Sequence, residues 1–110
     1  MSKTKPKSVR AEFTEFDQRV GKAWSLHIQG QSEAAIAEFK KLVDEWGDHI
    51  DANYGLALAY KGAKRYDQAR EQFQKVREYI EAERARHTGE DTSRFHMLLR
   101  MVEQHLATLS

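Results

Sequence analysis

The sequence predicts an all-α chain of five helices, and three observations carry that expectation. Apolar residues recur at steps of three and four along most of the chain, the period of a helix buried on one face. No stretch sustains the apolar–polar alternation of a half-buried strand. One proline and six glycines in 110 residues leave long unbroken segments, and Gly30, Gly47, Gly62 and Gly89 stand where the periodic runs stop.

Residues 1–8 carry Lys3, Lys5, Lys7 and Pro6 with no large apolar group. Nothing there offsets the entropy of ordering, so the segment reads as a flexible basic tail, with a single domain over 9–110. The first helix follows from about residue 9, with Phe13, Phe16, Val20, Ala23 and Trp24 on one face. It ends at Gln29-Gly30-Gln31, where glycine accepts a left-handed terminal conformation. Ser32 is a candidate N-cap for the second helix, whose stripe is Ala35, Ile36, Phe39, Leu42, Val43 and Trp46.

Asp51 serves as cap or first-turn acid for a third helix, in which Tyr54, Leu56, Ala57, Leu58 and Tyr60 run up to Gly62. Asp67 opens a fourth, with Ala69, Phe73, Val76 and Ile80 inward and no breaker before Thr88-Gly89. Asp91, Thr92 or Ser93 caps a fifth, striped by Phe95, Leu98, Leu99, Val102, Leu106 and Leu109. Short connections make successive helices antiparallel neighbours.

A hydrophobic fraction of 40% and a charged fraction of 32% fit a soluble fold. A net charge of +1 gives no global pull towards nucleic acid or membrane. The absence of cysteine removes disulfides, thiolate metal sites and cysteine nucleophiles. MSKTKPKSVR has no apolar stretch after its charges, so it does not read as a secretory signal, and no run is apolar enough to span a membrane. The expected location is cytoplasmic.

A shift of 34 residues lays the chain on itself. Asp17 falls on Asp51, Gly21 on Gly55, Ala23 on Ala57, Ala35 on Ala69, Phe39 on Phe73 and Lys41 on Lys75. Leu26/Tyr60, Glu33/Asp67, Leu42/Val76 and Trp46/Ile80 are conservative pairs in the same register. The chain thereby resembles the tetratricopeptide repeat family, whose period and helix–turn–helix unit these are. Leu56 and Ala57 stand at the family's Leu-Gly pair, Tyr60 at its tyrosine, and Ala69 with Phe73 at its alanine–phenylalanine pair.

The resemblance places repeat 1 at about 16–49, repeat 2 at about 50–83 and a capping helix at about 92–109. It implies antiparallel hairpins stacked as a short right-handed superhelix. Small side chains at Ala57 and Ala69 would let the hairpin helices close up. Asn53 replaces the family's tryptophan and Glu81 its helix-ending proline, so the fourth helix is free to run on towards His87. In the first copy, Lys22 and Ser32 depart from the pattern.

The resemblance also implies function: a non-enzymatic module that holds a protein or peptide segment in a groove lined by the first helix of each repeat. Carried over residue by residue, the groove positions are Asp17, Val20, Trp24 and His27, then Asp51, Tyr54, Leu58 and Lys61. Met97 and Met101, at i, i+4 on the fifth helix, would extend the floor with adaptable side chains. The plainer reading makes Trp24 and Leu58 ordinary core and lets the methionines cover the fourth helix. Lys and Asn, which hold acidic tails in one branch of the family, are missing from these positions, so an apolar or aromatic segment with a basic flank is expected. The alternative function is self-assembly, with the apolar stripe buried in a homodimer.

No catalytic constellation appears. The five histidines show no i, i+4 pairing for a metal, and a surface or capping role is expected for each. The serines sit in no nucleophile elbow, and the glycines form no phosphate loop. Neither a cofactor nor a metal is expected. The basic tail lacks interleaved aromatics, so specific nucleic-acid binding is not expected either.

Overall fold

The computed structural model describes residues 4–87 and 92–109, with side chains from residue 15 onward. Asp91, one of the three cap candidates for the last helix, and Phe13's side chain lie outside these. The described residues form five helices: α1 (Thr4–Ile28), α2 (Ser32–Glu45), α3 (Ile50–Gly62), α4 (Tyr66–Ala85) and α5 (Ser93–Leu109). The chain is all-α, as its periodicity predicts. α1 begins at Thr4, inside the segment assigned to the tail. Pro6 fits there because a first-turn residue needs no backbone N–H.

Each helix packs on its neighbours in sequence, and α1 also packs on α3. α1 and α3 lie side by side, α2 packs on both, and α5 packs on α4 and reaches α3 through the His105 side chain. The shortest dimension, 20 Å, is that of two helix layers.

The repeat is written in the backbone of the two turns as well as in the side chains. Gly30 and Lys64, one period apart, both have positive φ, at 83° and 64°. Gly30 N–H donates to His27 O, and Lys64 N–H to Lys61 O. Gln31 N–H then donates to Leu26 O, and Arg65 N–H to Tyr60 O. These crossed bonds cap the orphan carbonyls of α1 and α3 and turn the chain back sharply.

Packing obeys the same register. Ala23 and Ala57, Ala35 and Ala69, and Phe39 and Phe73 are all fully buried. Trp24 meets Phe39 edge-on at 5.5 Å, and Tyr54 meets Phe73 edge-on at 6.0 Å. Each hairpin is thus closed by a buried phenylalanine whose edge partner comes from the preceding helix.

Two local expectations shift, at Ser32 and Trp46, and the alternative left open at Asp51 is resolved. Ser32 is the first residue of α2 rather than its cap; Gln31 occupies the cap position without a side-chain bond. At α3 the cap is His49, whose Nδ1 accepts from Ala52 N–H at 3.1 Å, while Asp51 is the first-turn acid. Trp46, expected inward like Ile80, is 53% exposed because α2 ends at Glu45, before it. It rests on Phe16 at 5.0 Å instead.

Asn53, standing where the family has tryptophan, is buried and fully used. Its Nδ2 donates to Gly47 O at 3.0 Å and His49 O at 2.8 Å. Its Oδ1 accepts from Gln72 Nε2 at 2.7 Å, joining α3 to α4 in the core.

Candidate functional site: the α1/α3/α5 face

Three rings from three helices form a row. Trp24 of α1 lies 6.3 Å from Tyr54 of α3, and Tyr54 lies 6.0 Å from the imidazole of His105 on α5. Their backbones place them there because Trp24, Tyr54 and His105 each sit on the stripe next to the one packed on α2 or α4. Trp24 and Tyr54 are half-buried, backed by Phe39 and Phe73, so each keeps an accessible part. Trp24 Nε1 donates to Asp51 Oδ2 at 3.3 Å, tying α1 to α3 at the rim.

His105 is the hub between α3 and α5. It stacks flat on Phe73 with centroids 4.7 Å apart and planes 6° apart. Lys61 Nζ lies 3.0 Å from its Nδ1, and Tyr54 OH 3.3 Å from its Nε2. An ammonium only donates, so Nδ1 accepts, and the neutral ring carries its proton on Nε2, towards the tyrosine. Burial, and then the Lys61 charge, hold the His105 pKa below the usual histidine value. Burial also pushes the Tyr54 hydroxyl up, so it remains a neutral donor and acceptor.

The other sequence-predicted positions fall around this row. Asp17 and Asp51 are exposed at its margin, and Leu58 is half-buried beside it. Val20 is only 6% exposed and contributes mainly to the core. His27 is half-buried, with its Nδ1 enclosed and without a hydrogen-bond partner among the described residues. Met101 is 37% exposed and Met97 61%. Met101 shares a stripe with Arg94, Leu98 and His105, at helical steps of four, three and four. Met97 lies at that stripe's outer edge.

α5 is tethered at its C-terminal end. Besides the His105 contacts, the Arg70 guanidinium donates to Leu109 O at 2.9 and 3.3 Å, capping the end of the helix with a cation. Towards its start α5 stands away from α3, and a cleft of 590 Å³ lies between them. Val76, Ile80, Phe95, Leu98 and Val102 form its floor, and Asp48, Asp51, Glu83, Arg86 and Arg94 are charged groups on its walls.

The site positions read from the sequence do not include His105, Leu98 or Arg94; the sequence reads Leu98 as core stripe and His105 as a surface or capping residue. A signal existed: one more turn beyond the Met97–Met101 step reaches His105. Among the described residues no three His, Asp or Glu side chains converge to hold a metal, and no helix is long and apolar enough to cross a membrane.

Comparison with known families gives one match: residues 26–101, well over half of the chain, match the Tetratricopeptide repeat family. No curated protein and no solved structure matches the chain. Repeats of this family generally mediate protein–protein interaction. The repeated turns, the buried alanine–phenylalanine pairs and this match agree: the chain belongs to the tetratricopeptide repeat family.

Proposed function

We propose that this chain is a non-enzymatic module that binds a segment of another protein along the α1/α3/α5 face. The observation that carries the reading is the row Trp24–Tyr54–His105, a half-buried aromatic strip backed by rigid core rings. Such a strip offers apolar area at low entropic cost, because its rings are already held in place. Leu58 and Met101 widen it, and Asp17 and Asp51 set an acidic margin suited to a segment with a basic flank.

The test is selection of binders from a random peptide display library, followed by titration of the enriched peptides. Leu58→Glu and Trp24→Ala should each weaken binding about tenfold, the scale of one lost hot-spot contact, while helical circular dichroism persists. Enriched peptides that bind both folded variants as well as the parent would overturn the proposal. A stable dimer by sedimentation equilibrium, abolished by Leu58→Glu, would instead assign the face to self-assembly.

A further inference from the structure

The cleft between α3 and α5 departs from the internal repeat. Between the two copies the turns at 29–31 and 63–65 are alike, and α1 packs directly on α3. α4, at 20 residues, outruns α2 at 14, and a longer connection follows it. Among the described residues α5 then has no close backbone approach to α3 and reaches it through the side chain of His105. The space that α1 and α3 close between themselves is therefore left open between α3 and α5.

Its walls carry opposite charges. On the α5 side the Arg94 guanidinium lies 4.7 Å over the Phe95 ring and forms no ion pair among the described residues. Stacking uses only the face of a guanidinium and leaves its N–H edge free to fork a carboxylate. Arg86, nearby, is held by Glu83 at 3.1 Å. On the α3 side stand Asp48 and Asp51, both exposed; Asp51 engages Trp24 through one oxygen, leaving the other. The volume of 590 Å³ is several times the about 150 Å³ that encloses one benzene-sized group. The floor therefore has room for more than one apolar side chain.

We infer that this cleft takes a short linear protein segment of bipolar design. An apolar pair would lie on Ile50, Tyr54 and Leu98, the half-buried apolar groups of the lining, above the buried Ile80 and Phe95, with an acidic residue on Arg94 and a basic residue against Asp48 and Asp51. The inference rests on the protein-segment reading above and specifies the chemistry of the occupant.

Four fluorescent peptides sharing a central Leu-Phe pair, with bipolar, all-acidic, all-basic or neutral flanks, test it by anisotropy titration against the full chain. The bipolar peptide should bind about tenfold more tightly than the others, the scale of one charge-assisted contact. Arg94→Glu should transfer the preference to the all-basic peptide, and Asp48→Lys to the all-acidic one. Equal binding of all four, or a preference untouched by Arg94→Glu, would overturn the inference. If display-selected peptides bind the α1/α3/α5 face but none of the four does, this inference fails and the functional proposal stands. If neither set binds, both fail.

Discussion

The Phe39 ring lies edge-on to Gly55 so closely that a methyl group there would overlap Cε1 and Cζ of the ring. Gly55 is thus the point at which α3 closes onto α2. Its counterpart one period earlier, Gly21, is exposed, and among the described residues nothing lies within 4 Å of where a methyl group would stand. Two identical substitutions should therefore act in opposite directions. Gly55→Ala should cost about 1–3 kcal/mol through overpacking. Gly21→Ala should add up to about 1 kcal/mol of helix propensity. Urea denaturation of both variants checks this.

Lys64 holds the left-handed turn that Gly30 holds in the first copy. A residue with a Cβ is strained there by about 1–2 kcal/mol. Glycine relieves that strain but enlarges the freedom of the unfolded chain. Lys64→Gly should raise stability by up to about 1 kcal/mol, and Gly30→Ala should lower it by about 1 kcal/mol. Opposite shifts in the thermal midpoint would show it.

The Asn53–Gln72 pair gives a prediction about coupling. Asn53→Leu strands the buried Gln72 Nε2 in the core and removes the bonds to the Gly47 and His49 carbonyls. Leaving buried polar groups unpaired costs about 1–3 kcal/mol. Adding Gln72→Leu removes one stranded amide, so the double variant should be more stable than the sum of the single losses implies. A double-mutant cycle measures the difference.

His105 should make stability depend on pH. Its folded pKa is depressed, so the unfolded chain takes up the proton more readily. The neutral ring stabilises the fold fully above the unfolded value of about 6.5. That contribution is lost as pH falls from there through the folded pKa, because the added charge would be partly buried and its proton on Nδ1 would face the Lys61 ammonium. The urea midpoint should decline between about pH 7.5 and pH 5, and His105→Gln should flatten the decline relative to the parent.

Helix number, order and repeat were legible because they rest on periodicity and on residues such as Ala57, Ala69 and Phe73, whose neighbours are set by the hairpin itself. Long-range meetings were less so. His105 contacts residues on α3 and α4 far away in sequence, and its spacing suggested only a surface or capping role. Trp46 sits in register with buried Ile80 but falls past the end of its helix, so its period misled. The candidate stripe on α1 and α3 came from the family resemblance, carried over residue by residue. The full stripe on α5 did not, because α5 leaves the repeat's register and its cleft depends on how far α5 stands from α3.

The two tryptophans provide the most direct measurement. Trp24 lies in the row on the α1/α3/α5 face, and Trp46 lies outside it, against Phe16. Their indole N–H signals, with the Met101 methyl, can be followed by NMR while a display-selected peptide is titrated into the full chain. Binding along the α1/α3/α5 face predicts large shifts for the Trp24 indole and the Met101 methyl, with the Trp46 indole little changed. Saturable binding that moves Trp46 while Trp24 and Met101 stay in place would contradict it.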